Sequence, residues 1–171
     1  MAATALGGEP FVSYSHANRT LLFDIRREDW SDRLLDWSGV DRETLPHCRP
    51  AGAVAGEVSA PVAARLGLPR GVKIVVGGHD QCCNALGAGI TRAGQAVDGM
   101  GTYECITPVF GAIPDSRRML ATGLNVEHHV VAGRYVSFLF NQAGSLVRWF
   151  RDVFAAEQAR DPDIYDRLAA E

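Results

Sequence analysis

Apolar residues recur along this chain with two different periods, and the changes of period mark out candidate elements. Residues 20–25 (Thr-Leu-Leu-Phe-Asp-Ile) suit a short strand. Leu34, Leu35 and Trp37 then follow helical spacing, with Asp29 or Ser31 placed to cap the helix and Gly39 to end it. Residues 54–58 predict another short strand. Ser59-Ala60-Pro61 opens a helix, serine as the cap and proline in the first turn, and Gly67 closes it. Residues 45–50 read as a connector. The first ten residues, small and glycine-rich without periodicity, read as a loose end rather than the beginning of a fold.

The strongest β signal is Val72-Lys73-Ile74-Val75-Val76, a β-branched run bounded by Gly71 and Gly77-Gly78, which predicts a buried strand. Residues 81–88 follow as a helix, with Cys82, Cys83, Ala85 and Leu86 available for packing and Gly87 or Gly89 as a stop. A strand, a glycine turn and a helix make an α/β unit, and open α/β sheets bind ligands just beyond the carboxyl ends of their strands. Farther along, residues 95–97 and 104–109 are β-prone around Gly99-Met100-Gly101-Thr102, and residues 125–131 and 135–140 flank the hairpin signal Ala132-Gly133. Residues 144–158 form the clearest helix. Leu146, Val147, Phe150, Val153 and Phe154 fall on one face, which is expected to pack into a core rather than serve as an interface.

Composition narrows the functional classes. With 171 residues, 47% hydrophobic and 22% charged, the chain suits one domain or two small ones. A net charge of −3 gives no electrostatic footprint for nucleic acid. Ten basic and ten acidic residues lie in the first 95 positions, then seven against ten, so the charge imbalance belongs to the second half and suggests a boundary near residues 92–97. The single lysine, Lys73, does not sit in a G-x-x-x-x-G-K-[ST] loop, which excludes a Walker-type nucleotide site. No apolar run suits a membrane span or signal peptide, so a cytoplasmic location is expected. Cys48, Cys82, Cys83 and Cys105 form no CxxC pair and read as reduced thiols.

Gly77-Gly78-His79-Asp80-Gln81 is the sharpest chemical candidate. A carboxylate on a strand-to-helix turn, beside a glycine pair that admits a substrate close to the backbone, can act as a general base on a hydroxyl proton; the structural alternative is that Asp80 caps the helix. His79-Asp80 with Cys82-Cys83 lacks zinc spacing, and no metal site is expected from them. Gly99-Met100-Gly101-Thr102 could cradle a phosphate with backbone N–H groups and a hydroxyl. Asn18, Arg19 and Thr20 read as ordinary surface residues.

Several of these segments, in order, resemble the FGGY carbohydrate kinases, which include xylulose, gluconate and glycerol kinases. Asn18-Arg19-Thr20-Leu-Leu-Phe-Asp24-Ile25, Trp30-Ser31-Asp32 and Leu45-Pro46 are similar to the family's stretch near the sugar site. Gly77-Gly78-His79-Asp80-Gln81 with Ala85-Leu86-Gly87-Ala88-Gly89 resembles its catalytic strand-turn-helix, Gly101-Thr102 its phosphate-contacting turn, and Gly144-Ser145-Leu146 through Asp152 the helix that follows. The resemblance implies an α/β, ribonuclease H-like (actin-like ATPase) fold with parts of two domains. Residues 1–94 would be the C-terminal part of the sugar-binding domain, and residues 95–171 the start of the ATP-binding domain. It further implies Asp80 as general base, Gln81 with Asp80 as substrate contacts, Gly101 and Thr102 facing the phosphates of ATP, and Mg2+ bridging those phosphates. The partners implied are a small sugar or polyol and ATP, with neither nucleic acid nor membrane, and a homodimer in a full-length form. The family's Asp-x-Gly-Thr loop and its adenosine-binding segment are not among these residues, so the chain is expected to be the central portion of such a kinase, with negligible ATP-dependent phosphorylation on its own; the alternative is a non-catalytic remnant that binds sugar weakly or serves as an interaction module. Departures are visible at Ser15-His16-Ala17-Asn18, where relatives carry Thr-Asn-Ala-Ser, and at Glu104, where many carry a small residue.

Overall fold

A computed structural model describes residues 2–170 as two compact units, residues 2–97 with 107–138 and residues 98–106 with 139–170. In the first unit the opening elements are α1 (Ala2–Ala5), β1 (Phe11–Ser13) and α2 (Tyr14–Ala17), followed by a 3-10 turn at Asn18–Thr20. Next come β2 (Phe23–Asp24), β3 (Asp29–Trp30), α3 (Asp32–Ser38), β4 (His47–Arg49), β5 (Val54–Glu57), α4 (Ala60–Leu66), β6 (Lys73–Val75) and α5 (Asp80–Gly87). The two long strands β7 (Ala96–Met100) and β8 (Tyr103–Phe110) contribute residues to both units, and α6 (Ser116–Ala121) with the hairpin β9 (Glu127–His128) and β10 (Tyr135–Val136) returns to the first. Three small pairings serve the first half: β1 parallel to β4, β2 antiparallel to β3, and β5 antiparallel to β6.

Local sequence accounts for α3 and α4. Ser31 and Ser59 occupy extended N-cap positions, although neither hydroxyl makes a capping hydrogen bond; Pro61 lies in the first turn of α4, and Gly39 and Gly67 close the two helices at φ +71° and +67°. Two clusters form the core of this unit. Ala17, Phe23, Trp30 and Leu35 pack together, and the buried Trp30 indole donates to the Pro46 carbonyl at 2.8 Å. Val58, Ala63 and Ile74 make the second cluster, with Ala3, Leu6 and Phe11 against them.

Four expectations change here. The first ten residues are not a loose end: α1 forms, and the Leu6 carbonyl accepts the Ser59 N–H at 2.9 Å. The connector at 45–50 holds a strand, because β4 finds a parallel partner 36 residues upstream, Phe11 opposite His47. The strand expected over residues 20–25 shrinks to two residues, since Asn18–Thr20 coils first. The run at 72–76 is half-buried rather than buried, for β6 is one strand of a two-stranded ribbon that buries Ile74 and exposes Lys73 and Val75.

The second unit joins the start of β8 to β11 (Leu139–Gln142), antiparallel with Tyr103 opposite Gln142, and carries α7 (Gly144–Phe154) and α8 (Ile164–Ala170). Its α7 confirms the expected helix as far as Phe154, with a 3-10 turn at Ala156–Gln158 in place of its last residues, and overturns the expected burial. No residue of α7 is buried, and Trp149, Phe150 and Phe154 stack on one another in the open, with ring centroids 5.0 and 5.9 Å apart. Among the described residues, no helix is long and apolar enough to cross a membrane.

Candidate active site

Asp80 is the first residue of α5, and His79 takes the N-cap position without a side-chain capping bond. The capping alternative for Asp80 is therefore modified. Its Oδ1 accepts the neighbouring Gln81 N–H at 2.7 Å and lies 3.4 Å from His79 Nδ1, while the side chain is 84% exposed. One carboxylate oxygen thus steadies the helix start, and the other stays available to take a proton. The Gln81 side-chain amide makes no hydrogen bond among the described residues. The buried Cys82 points elsewhere: its Sγ approaches the His128 carbonyl at 3.6 Å, and burial pushes its thiol up to about 12, which removes it as a nucleophile.

The glycine pair before Asp80 works differently from expectation. A Cβ on Gly78 would lie 2.2 Å from Val130 Cγ1 and 3.0 Å from Ser15 Oγ, so its bare Cα serves the β9–β10 hairpin and not an incoming substrate. Gly77 has open space where its Cβ would be. The hairpin is pinned by a further set of bonds. Asn18 Oδ1 accepts the His128 N–H at 2.8 Å, Arg19 Nη1 donates to Glu127 Oε1 at 2.7 Å, and Asn125 Nδ2 donates to the same oxygen at 2.6 Å. Two successive residues of the 3-10 turn therefore grip two successive residues of β9. Asn18 and Arg19 are not ordinary surface residues, and only partners about 110 positions away reveal it.

Around Asp80 this scaffold gathers side chains that local sequence pattern does not single out. The Phe138 ring stacks on His79 at 5.1 Å, the Arg19 guanidinium lies 5.8 Å over the same ring, and His16 meets His79 edge-on at 5.8 Å. Burial and the nearby His79 hold the His16 imidazole below its ordinary pKa, against the pull of the Asp80 and Glu127 carboxylates. Glu127 itself is almost fully buried, with Oε2 lacking a hydrogen-bond partner among the described residues.

In the second unit, Gly101 and Thr102 form an exposed turn between β7 and β8. The Gly101 N–H is committed to the Tyr103 carbonyl at 2.9 Å, so it cannot also cradle a phosphate. Thr102 has its hydroxyl and N–H uncommitted among the described residues. Gly144 fits tightly behind the turn: its N–H donates to the Gly101 carbonyl at 3.0 Å, and a Cβ there would come within 2.6 Å of that oxygen. Ser145 N–H donates to the Thr102 carbonyl at 3.0 Å, and its buried Oγ has no partner. Beside this turn opens a cleft of about 580 Å³ lined by Met100, Gly101, Glu104, Gln142, Leu146 and Tyr165. Glu104 opposes an anion here: slight desolvation and the nearby Glu104 charge raise the carboxyl of the exposed Asp98. No cluster of three or more His, Cys, Asp or Glu side chains able to hold a metal occurs among the described residues.

Comparison with known proteins gives this arrangement its class. The xylulose kinase from Rhodospirillum rubrum superposes with a TM-score of 0.83 at 26% identity, over 95% of this chain and 32% of that one. The Plasmodium falciparum glycerol kinase with ADP superposes at 0.71 and 20% identity, over 86% of this chain and 29% of that one. The fold is accordingly α/β of the actin-like ATPase, ribonuclease H-like type. The family model described as the N-terminal domain of the FGGY family of carbohydrate kinases matches residues 2–87. The chain belongs to that family. The autoinducer-2 kinase of Enterobacter sp. (strain 638) is 33% identical over 162 residues, covering 91% of this chain and 29% of the relative's own length. The chain thus spans under a third of the length of the curated kinases it matches.

Proposed function

We propose that the protein takes part in ATP-dependent phosphoryl transfer to a hydroxyl of a small sugar or polyol. The observation that carries this reading is the Asp80 carboxylate, fixed through one oxygen by the Gln81 N–H and open to solvent through the other. Asp80 takes the proton of the attacking hydroxyl through that open oxygen, a role worth roughly 10²–10⁴ in rate. Gln81, with its amide uncommitted, orients the acceptor. Thr102, and Gly101 through the close backbone approach it permits, face the phosphates. ATP supplies the transferred group, and Mg2+ held on its phosphates screens their charge. In this reading residues 1–94 belong to the sugar-binding domain, and residues 95–171 open the ATP-binding domain. The protein works in the cytoplasm, a full-length form is a homodimer, and neither nucleic acid nor a membrane is a partner.

The test is an NMR titration of the isotope-labelled chain. Neutral ketoses and polyols are expected to shift the amides of His79, Asp80 and Gln81, and MgATP those of Gly101 and Thr102. Absence of shifts at the first set with every acceptor at high millimolar concentration overturns the reading. In a polypeptide with turnover, Asp80→Asn should lower kcat by two to four orders of magnitude and leave acceptor binding in place; a near-normal rate removes Asp80 as the base.

A further inference from the structure

Four groups beside Asp80 form a hydrogen-bonded chain whose direction can be worked out. Ser15 Oγ accepts the His79 N–H at 2.9 Å and lies 3.2 Å from Ser13 Oγ, which in turn lies 2.8 Å from His16 Nδ1. Ser13 Oγ also accepts the His16 N–H at 3.3 Å. Both serines are buried, at 4% and 2% exposure, so their hydroxyl protons need protein acceptors. For Ser15 the sole acceptor among the described residues is Ser13 Oγ. Once that bond is made, Ser13 Oγ takes protons from Ser15 and from the His16 backbone, and its own proton goes to His16 Nδ1. The reverse direction, with Nδ1–H donating to Ser13, strands the Ser15 hydroxyl proton in the interior, at the cost of a buried donor without a partner. Every group is satisfied only when His16 is neutral with its proton on Nε2.

His16 is exposed, touches His79 edge-on, and Nε2 has no partner among the described residues. We infer that His16 is a specificity-determining residue of the acceptor site: the serine relay fixes its Nε2–H as a donor that receives an uncharged hydroxyl or carbonyl oxygen of the acceptor, beside the carboxylate of Asp80. Charge agrees with an uncharged ligand. Asp80 and Glu127 are acidic, Arg19 is spent on Glu127, and the buried side of the His16 ring faces serines, so nothing here attracts an anionic acceptor. The inference rests on the reading that the acceptor binds at Asp80.

The experiment records side-chain ¹⁵N–¹H correlations of the labelled chain, alone and with glycerol or D-xylulose. In the free chain His16 is expected as the Nε2–H tautomer, with Nδ1 showing the shift of an unprotonated ring nitrogen. An Nδ1–H tautomer overturns the inference whether or not anything binds. With acceptor present, His16 Nε2 should shift together with the Gln81 amide, and His16→Phe, which also takes the acceptor from Ser13, should weaken that binding about three- to tenfold while the chain stays folded. A moving Gln81 amide with a stationary His16 overturns the role of His16 and leaves the acceptor site standing. If neither moves, the acceptor site itself fails, and this inference with it.

Discussion

Gly78 and Gly101 each lie in a turn next to a candidate site residue, and the two glycines answer opposite physical needs. Around Gly78 the space for a side chain is filled by Val130 from 52 positions downstream, and the turn is held by partners from α2, the 3-10 turn and the β9–β10 hairpin. Around Gly101 a Cβ would meet only the Tyr103 carbonyl at 3.8 Å. The first turn is built by distant parts of its unit; the second is set by its own strands and by Gly144 closing behind it. A glycine in a motif therefore marks close approach of the scaffold at Gly78 and open space at Gly101, and only the contacts tell the two apart.

That contrast can be broken most severely at Arg19. Removing the guanidinium leaves the buried Glu127 carboxylate with only the Asn125 amide, and Arg19→Leu should cost about 3 kcal/mol, the low end for a buried pair because Arg19 itself is partly exposed. Urea denaturation measures this, and adding Glu127→Gln should restore part of the loss. A cost below 1 kcal/mol would mark the pair as a surface contact. Next in size is Gly78→Ala, which forces a methyl group into Val130 and should destabilise by about 1–3 kcal/mol. Val130→Ala should recover part of that loss, whereas Gly101→Ala should leave the melting temperature nearly unchanged. Equal shifts from the two glycine substitutions would erase the distinction.

The smallest effect is a difference in response to acid. Burial holds His16, His128 and His129 below the ordinary imidazole value, helped at His16 by His79 and opposed at His128 by Glu28. A histidine with a lowered folded pKa leaves stability fully present above its unfolded value of about 6.5 and drains it as pH falls, because the unfolded chain takes up the proton first. All five histidines lie in the first unit. In the second, the raised carboxyl of Asp98 has the opposite sign: its folded form takes up the proton first, so acid relieves its repulsion with Glu104. Amide hydrogen exchange between pH 7.5 and 5 should show the first unit loosening and the second unchanged or tightened. Equal loosening would contradict these assignments.

What was legible in the sequence follows the same division. Helices α3, α4 and α5, and the hairpin turn at Ala132-Gly133, announce themselves through caps, proline and glycine, which act within a few residues. So does the exposed carboxylate of Asp80, through its place between a β-branched run and a helix. The pairing of β4 with β1, the docking of α1, the grip of Asn18 and Arg19 on the hairpin and the orientation of His16 depend on partners that no local pattern specifies. The apolar stripe on α7 shows the limit from the other side. Helical spacing identifies which residues share a face, but whether that face is covered depends on what lies opposite.

The fit of Val130 against Gly78 also sets an order of events during synthesis. The residues around Asp80 leave the ribosome 52 positions ahead of the valine that locks them. At roughly 5–20 residues per second, translation takes about 3–10 s to deliver that valine. Until then the helix that starts at Asp80 can form, while the loop before it lacks its stop. The loop before the carboxylate is therefore among the last parts of the first unit to acquire its final place, although its motif is among the first to be readable.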